Sequence, residues 1–407
     1  MKYPRYLESS LVDICFKAEK MAFVSGPRQC GKTTMAKLLL KNRGDGAYFN
    51  WDEITFRRQW IKDPHLLIPK TINHTKPLII LDELHKAKLW KRTLKGLYDT
   101  QDSQCDIIVT GSARLNVYRK GSDSLLGRYY HFRLHPFSVA ELLKHNPSMP
   151  EDLIAALKSK PKLPTKAEHA LQRLYHYGPF PEPLFAENPK TLNLWRRNRI
   201  EKIIREDLRD LSRLPELSQV EMLTSLLPER ASQPLSIKSL SEDLEVAYTT
   251  IKRWLNYLSE LYYFYTIKPY SKSLARALKK ENKIYLWDWS EIENEGARFE
   301  NLIASHLLKY CDYMTDTGVG HFELRHLKNK EKLEIDFLIL RDKKIYLPVE
   351  VKLSDEQPST SWSKFMPQLH CEFGIQVVMK PNVYKTHEYD NYTITVMSAA
   401  SFLQLLV

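Results

Sequence analysis

The chain has 407 residues, a formal net charge of +12, 43% hydrophobic residues and 27% charged residues. This composition is typical of a globular protein, excludes a disordered or fibrous chain, and at this length predicts roughly two to four domains. No apolar run is long enough to span a bilayer and the first residues lack the apolar core of a signal peptide, so we expect a cytoplasmic protein with no membrane partner.

The first 140 residues alternate short apolar runs with amphipathic stretches of helical length. The runs, in chain order, are MAFVSG, GAYFNWDE, KPLIILDE and CDIIVTGSA. Short apolar strands separated by helix-length spacers predict a mostly parallel sheet covered on both faces. We therefore predict an α/β fold for this part of the chain.

A phosphate-binding pattern, GxxxxGK[ST], follows the first of these runs and opens a helical stretch. The preceding strand and following helix argue against a chance match, since backbone N–H groups at a helix N-terminus bind phosphate. Lys32 is predicted to contact the β- and γ-phosphates, and Thr33 to ligate Mg²⁺. The predicted nucleotide-binding residues are Gly26, Pro27, Arg28, Gln29, Cys30, Gly31, Lys32, Thr33 and Thr34.

A second motif is the apolar run LIIL, which ends in Asp82 and Glu83. This is the pattern of a Walker B strand, in which Asp82 would hold Mg²⁺ and Glu83 would polarise the attacking water. A helix N-cap is the alternative interpretation, but it does not explain the wholly apolar run. Because no guanine-reading NKxD motif occurs, ATP is the predicted nucleotide.

Three further residues are candidates for the nucleotide site. Thr110 and Ser112 follow the next apolar run, and their hydroxyls either sense the γ-phosphate or cap a turn. Arg128 is either an arginine finger, acting in its own chain or on a neighbour in a homo-oligomer, or a solvated arginine at a strand edge.

The middle of the chain changes character. Prolines interrupt residues 141–190, which we predict to form a helical lid and linker. Residues 191–290 are predicted to be a helical domain with a winged helix, in which a short helix at 237–244 precedes a longer one at 249–261. The longer helix has an apolar set at helical spacing, predicted to be a buried stripe, of Ile251, Trp254, Leu255, Leu258 and Leu261.

Basic residues near this helix suggest nucleic acid as a partner, with DNA favoured. Lys252 and Arg253 lie on the side away from the apolar stripe, where a recognition helix contacts a groove. Such charges are also common on solvated helix faces. A basic wing is predicted from Lys268, Lys272, Arg276, Lys279 and Lys280.

Residues 291–407 are predicted to form an α/β domain with the acid and lysine pattern of PD-(D/E)xK nucleases. The candidates are Glu300 on a helix, Asp336 on one strand, and Glu350 and Lys352 on the next. Residues i and i+2 of a strand face the same side, so Glu350 and Lys352 point together. Glu300, Asp336 and Glu350 would then hold Mg²⁺ while Lys352 orients a water.

This hypothesis sets a condition on strand register. With a four-residue loop at 341–344, Asp336 would lie opposite Val349 and Glu350 would face the wrong side. A three-residue loop pairing Arg341 with Ile345, or a bulge at Pro348, would place Asp336 opposite Glu350. The alternative is a nuclease-like fold that does not cut, although we expect acids clustered without a metal to repel one another.

With these motifs in place, nearly the whole chain resembles prokaryotic ATP-binding proteins that pair an AAA-type ATPase domain with a C-terminal domain of unknown function, family 4143. The resemblance implies an ATPase core, a winged-helix segment and a nuclease-like end, although the strand acid stands in EID rather than Pro-Asp. The segments that carry the resemblance are GPRQCGKTT at 26–34, LIILDELHK at 78–86, VTGSARL at 109–115, LLGRYYHFRLHPFSVAEL at 125–142, GPFPEP at 178–183, IREDLRDL at 204–211, FEN at 299–301, EIDF at 334–337 and PVEVK at 348–352.

Two functions follow as expectations. The first is an ATPase whose nucleotide state repositions a winged-helix and nuclease-like module on nucleic acid. The second is a regulatory switch in which ATP changes partner binding and the C-terminal domain is an inert interaction module. A helper role in transposition or defence is a third possibility that the sequence does not separate from these.

Overall fold

A parallel sheet organises the first part of the chain in the computed structural model, which describes residues 3–68, 76–100, 105–111, 125–160, 165–208, 216–271, 281–331 and 333–407. The chain divides into two units, Met1–Pro136 and Phe137–Val407. The predicted domain limits at 140, 190 and 290 stay predictions.

The described part of the first unit contains a five-stranded sheet in which every neighbouring pair is parallel, in the order β2-β3-β4-β1-β5. This confirms the predicted parallel α/β fold. The order places β4 between the strand before the phosphate-binding loop and the strand that ends in Asp82. The strands are β1 (Met21–Ser25), β2 (Gly46–Asn50), β3 (Leu78–Asp82), β4 (Asp106–Thr110) and β5 (Tyr129–Arg133).

The strands β1, β3 and β4 are buried along their whole length, because helices cover both faces of this sheet. On one face Phe56 and Trp60 of α3 and Leu94 of α4 join the apolar cluster that contains Phe23. The helices of the first unit are α1 (Glu8–Ser10), continued by a π-helical turn (Leu11–Phe16), then α2 (Lys32–Arg43), α3 (Ile54–Lys62), α4 (Trp90–Thr100) and two 3₁₀ turns (Pro64–Leu67 and Leu84–Lys86).

The second unit begins with helices. They are α5 (Val139–Leu143), α6 (Pro150–Lys158), α7 (Thr165–Tyr177), α8 (Pro181–Ala186), α9 (Pro189–Glu201), a π-helical turn (Lys202–Leu208), α10 (Leu217–Leu226), a 3₁₀ turn (Pro228–Arg230), α11 (Ile237–Asp243) and α12 (Tyr248–Glu260). A 3₁₀ turn (Trp289–Glu291) precedes the long helix α13 (Glu295–Asp316), and α14 (Ser361–Leu369) and α15 (Ala399–Leu403) lie near the end of the chain.

A mixed sheet of eight strands, counted over the described residues, runs in the order β12-β13-β11-β10-β9-β8-β6-β7. The hairpin β6–β7 directly follows α12, and β6 pairs with β8, so the strands after the helix pair belong to the same sheet as the C-terminal strands. The strands are β6 (Phe264–Pro269), β7 (Lys283–Leu286), β8 (Phe322–Lys328), β9 (Glu334–Arg341), β10 (Lys344–Lys352), β11 (Phe373–Val378), β12 (Tyr384–Tyr389) and β13 (Tyr392–Ser398).

Candidate nucleotide site and C-terminal carboxylate cluster

The loop between β1 and α2 has backbone angles that require glycine at both ends. Gly26 has φ of 153° and Gly31 has φ of 102°. A Cβ at Gly26 would lie 2.2 Å from the carbonyl oxygen of Leu134, which no side chain tolerates. The loop is therefore held tightly against the end of β5, with the N-terminus of α2 opening from it.

The lysine of the motif points back over this loop. Lys32 is buried, and its Nζ donates hydrogen bonds to the carbonyl oxygens of Gly26 at 2.9 Å and Pro27 at 2.7 Å. The ammonium group is thus held against the first two residues of the motif, which is typical of phosphate-binding loops.

Asp82 is the centre of the polar contacts at the carboxyl end of the sheet. Its Oδ2 accepts hydrogen bonds from Thr33 Oγ1 at 2.7 Å and from the Tyr48 hydroxyl at 2.8 Å, and its Oδ1 accepts one from Thr110 Oγ1. Only 3% of Asp82 is exposed. The three donors come from α2, β2 and β4, so parallel strand ends and the loop helix bring them to one carboxylate.

Tyr48 was not singled out by the sequence, because a tyrosine in a half-buried strand normally serves packing. Burial, together with Asp82, raises the pKa of the Tyr48 phenol, which therefore remains a proton donor to Asp82. The Lys37 ammonium lies 3.8 Å from the centre of the Tyr48 ring. Tyr48 is the middle residue of β2, and its contact with Asp82 depends on the pairing of β2 with β3, which no local sequence pattern indicates.

Glu83 stands directly after β3 in a left-handed backbone conformation, with φ of 56°. Its Oε2 is buried without a hydrogen-bond partner and lies 3.6 Å from Lys86 Nζ and 3.7 Å from His85 Nε2. Burial raises the pKa of Glu83, against the opposing effect of Lys32 and Lys86. A carboxylate with a raised pKa beside a phosphate-binding loop is suited to accepting a proton from water.

The donor set near Asp82 fits Mg²⁺. This ion prefers oxygen ligands and is commonly held by one or two protein oxygens together with substrate phosphates and water. Thr33 Oγ1 and Asp82 Oδ2, 2.7 Å apart, are two such oxygens beside the phosphate loop. Thr33 and Asp82 are thus the residues that would hold the ion.

An arginine near the N-terminus anchors the loop, and sequence reasoning missed it. Arg5 is 5% exposed, and its guanidinium donates to the carbonyl oxygens of Cys30 and His135, each at 2.5 Å. A Cβ at Gly31 would lie 3.0 Å from Arg5 Nη1. Because Cys30 and His135 are far from Arg5 in the sequence, no local pattern could have indicated this contact.

Two other candidates fall outside this group. Arg128 precedes β5 at the edge of the sheet opposite the phosphate loop, about 16 Å away along the strand, and pairs with Asp99 at 2.6 Å. It therefore does not reach a phosphate at this chain's own loop, and its use by a neighbouring copy stays a prediction. Ser112 lies outside the described residues.

In the second unit, the candidate acids of the C-terminal strands do come together. The main chain N–H of Asp336 donates to Glu350 Oε2 at 3.3 Å, and the N–H of Val351 donates to Asp336 Oδ2 at 2.8 Å. Lys352 Nζ lies 2.8 Å from Glu350 Oε1. Glu300 reaches the same region from α13, through a lysine shared with Asp336.

The required register is present, but neither predicted device produces it. Lys344 pairs with Arg341 across a two-residue turn at 342–343, and a bulge between Ile345 and Leu347 then shifts the ladder. Val349 pairs with Phe337, which places Glu350 opposite Asp336. The predicted three-residue loop and the predicted bulge at Pro348 are both wrong. The loop is a tight turn of two left-handed residues, and the extra residue of the bulge is Tyr346.

These acids do repel one another, as expected, since besides burial Asp336 raises the pKa of both Glu300 and Glu350, but a lysine of the chain lies among them and offsets part of the repulsion. The ammonium of Lys283, on β7, lies 3.1 Å from Glu300 Oε1 and 3.8 Å from Asp336 Oδ1, and it forms a closer ion pair with Glu334. Within the described ranges, no group of three or more His, Cys, Asp or Glu side chains is arranged to hold a metal ion.

The pKa values of this cluster reflect its burial. Burial, with Asp336 as the next cause, raises the pKa of Glu300 to about 7 and that of Glu350 to about 8. Burial alone would lower the pKa of Lys283, but Glu300, Asp336 and Glu334 outweigh it and raise the value. Burial would raise the pKa of Glu334, but Lys283 and Lys328 outweigh it and lower the value. The cluster therefore keeps a protonated lysine beside one acid that ionises readily and among three, Glu300, Asp336 and Glu350, whose pKa values are raised.

The helix pair of the middle segment has the predicted pattern. The apolar set on α12 is buried and follows α11 after a short break, as the spacing indicated. Lys252 and Arg253 are exposed on the opposite face. Of the predicted basic wing, Lys268 is exposed on β6, and the other four residues lie outside the described part of the chain.

Comparison with protein families matches three segments of the chain. Residues 18–143 match an AAA domain, residues 168–290 match a domain of unknown function, DUF8612, and residues 295–401 match another, DUF4143. These matches confirm the AAA-type domain at the N-terminal end and the family 4143 domain at the C-terminal end. The DUF8612 segment was not anticipated.

Related proteins extend over much of the chain. An uncharacterized protein of Mycobacterium tuberculosis is 23% identical over 269 residues, which cover 66% of this chain and 54% of that protein. The chain thus spans about half the length of this relative. An uncharacterized protein of Methanocaldococcus jannaschii is 21% identical over 401 residues, 94% of this chain and 86% of that protein.

Among solved structures, the Orc1 protein of Aeropyrum pernix in complex with DNA is 14% identical with a TM-score of 0.34, covering 74% of this chain and 92% of that one. AMPPCP-bound DnaA from Aquifex aeolicus is 13% identical with a TM-score of 0.32, covering 62% and 86%. TM-scores this low support no conclusion about function. In the described residues, no helix is both long and apolar enough to cross a membrane.

Proposed function

We propose that the first unit is a Mg²⁺-dependent ATPase. The observation that supports this most directly is the contact between Thr33 of the phosphate loop and Asp82 of β3, 2.7 Å apart, with Glu83 next in the chain. In this proposal the loop N–H groups and Lys32 bind the phosphates of ATP. Glu83 accepts a hydrogen bond from the attacking water and takes its proton.

The neighbouring hydroxyls have supporting roles in this proposal. Mg²⁺, when bound, would neutralise charge on the β- and γ-phosphates. Thr110 and Tyr48 hold the Asp82 carboxylate in a fixed orientation by donating to its two oxygens. A carboxylate fixed in this way requires little rearrangement when nucleotide binds.

The test measures ATP turnover and nucleotide binding separately. Lys32→Ala is expected to weaken ATP binding and remove turnover, whereas Glu83→Gln is expected to retain binding and lower turnover by roughly 10²- to 10⁴-fold. Matched controls are Lys41→Ala, an exposed lysine on the same helix, and Glu53→Gln, an exposed acid of the same unit. Turnover that survives both Lys32→Ala and Glu83→Gln would remove these roles.

A second part of the proposal concerns the second unit, which we interpret as a winged-helix segment followed by a nuclease-like domain that binds DNA. This is supported by the exposed pair Lys252 and Arg253 on α12, with the apolar face of that helix buried and the hairpin β6–β7 following it. The nucleotide state of the first unit would then change DNA affinity.

Fluorescence anisotropy with a short DNA duplex at several salt concentrations tests this part. Lys252→Glu with Arg253→Glu is expected to weaken binding at every sequence and to flatten the salt dependence, because phosphate contacts are lost. Lys364→Glu, an exposed lysine on α14, is the control. No binding at low salt would instead favour a regulatory switch that contacts a protein partner.

A further inference from the structure

The centre of the C-terminal carboxylate cluster is occupied by a side chain of the protein itself. Lys283 is almost fully buried, with 3% of the residue exposed. Its Nζ lies 3.1 Å from Glu300 Oε1 and 3.8 Å from Asp336 Oδ1, and it is paired with Glu334 Oε1. One ammonium group thus contacts carboxylates of both α13 and β9.

The other oxygens that a metal would need are also engaged by donors of the chain. Asp336 Oδ2 accepts from the main chain of Val351, and Glu350 Oε2 accepts from the main chain of Asp336. Glu350 Oε1 is paired with Lys352. Tyr285 donates its hydroxyl hydrogen to Glu300 Oε1 at 2.8 Å. A metal would therefore have to displace several existing partners.

The charges are close to balanced without an added ion. The four acids, Glu300, Glu334, Asp336 and Glu350, face three lysines, because Lys328 pairs with Glu334 at 2.8 Å and Lys352 with Glu350 at 2.8 Å, besides Lys283. A divalent cation placed among the acids would meet the Lys283 ammonium at short range in a buried environment, where like charges repel strongly. The residues present therefore do not fit the metal of a PD-(D/E)xK nuclease.

We infer that Lys283 is the resident cation of this cluster, so that the C-terminal unit binds no divalent metal there and does not cleave phosphodiester bonds. The cluster has a structural role instead. It ties β7, the second strand of the hairpin that follows the helix pair, to β9 and α13 through buried ion pairs. This inference does not depend on the nucleotide site of the first unit.

Mn²⁺ binding to the full chain tests the inference, with free Mn²⁺ measured by electron paramagnetic resonance in the absence of nucleotide. Asp82→Ala is the parent, because it removes the predicted metal ligand of the first unit. Lys283→Met in this parent is expected to gain one Mn²⁺ site, at least about tenfold tighter than any site in the parent. Lys268→Met, an exposed lysine on the adjacent strand β6, is the matched control and is expected to gain none.

Adding Asp336→Asn to Lys283→Met should remove the gained site, which would locate it in the cluster. The inference is overturned if the parent itself binds Mn²⁺ and Asp336→Asn abolishes that binding, or if wild-type protein shows metal-dependent DNA cleavage that Asp336→Asn abolishes. A folded Lys283→Met protein that gains no site overturns the role given to Lys283. If Lys283→Met does not fold, the Asp82→Ala parent provides the test. A parent that binds no Mn²⁺ supports the inference, and Mn²⁺ binding by the parent that is lost with Asp336→Asn refutes it.

Discussion

Replacing Arg5 by methionine should destabilise the first unit and weaken nucleotide binding together. The guanidinium is buried and makes two hydrogen bonds to main chain carbonyls, at Cys30 and His135. Hydrogen bonds to a charged group contribute roughly 1.5–3 kcal/mol each, so the loss is about 3–6 kcal/mol. Methionine retains most of the apolar stem, which limits the effect of lost packing.

This loss of stability should be measurable as a lower melting temperature. For a unit of this size about 1 kcal/mol corresponds to roughly 3 °C, so a loss of about 3–6 kcal/mol should lower the first melting transition by roughly 9–18 °C. Because the Cys30 carbonyl belongs to the phosphate loop, we also expect affinity for an ATP analogue to fall by roughly ten- to a hundredfold.

Differential scanning calorimetry and titration with a fluorescent ATP analogue provide the two readouts. Arg57→Met, an exposed arginine on α3, is the control and should leave both unchanged. The melting temperature and the analogue affinity of Arg5→Lys should fall between those of wild type and Arg5→Met, because one ammonium cannot reproduce the planar guanidinium that reaches two carbonyls. The reasoning is refuted if Arg5→Met melts within about 2 °C of wild type and binds the analogue equally well.

Two further predictions concern the loop and a buried acid. Gly26→Ala should abolish ATP binding and lower stability, because the new Cβ would lie 2.2 Å from Leu134 O; unchanged binding in the same titration would contradict this. Glu291 pairs with Arg199 at 3.0 Å, yet burial, outweighing Arg199 and helped by Asp288, raises the pKa of Glu291 to about 7. The contribution of Glu291 to the free energy of unfolding is therefore complete below about pH 4.5. It is lost as pH rises towards 7, by at most about 1.4 kcal/mol per pH unit. In urea unfolding from pH 5 to 8, Glu291→Gln should lose less stability than wild type, and parallel curves would count against the assignment.

The geometry of the candidate nucleotide site was largely predictable because its motifs are local. A glycine-rich loop between an apolar strand and a helix specifies its own geometry, and an apolar run that ends in Asp82 and Glu83 places both acids at the carboxyl end of a strand. Since the strands are parallel, those ends meet at one edge. Thr33 and Asp82 could therefore be assigned to one place without knowledge of the sheet order.

Contacts between distant parts of the chain were not predictable. Arg5 reaches Cys30 and His135, and Tyr48 reaches Asp82, through side chains whose sequence neighbourhood carries no signal. The register of β9 and β10 likewise depends on a two-residue turn in which both residues are left-handed, and its second residue, Lys343, is not a usual choice for that conformation.

The C-terminal carboxylate cluster shows most clearly which features the sequence determined and which depended on the tertiary structure. Residue spacing along β10 determined that Glu350 and Lys352 face one side, because side chains alternate along a strand. The partner that neutralises the acids, Lys283, lies on another strand and enters the cluster only because β6 and β7 join the same sheet as β9. The sequence thus determined which acids could meet, and only the tertiary structure decided which cation they meet, since buried charge pairing depends on distances that the chain order does not contain.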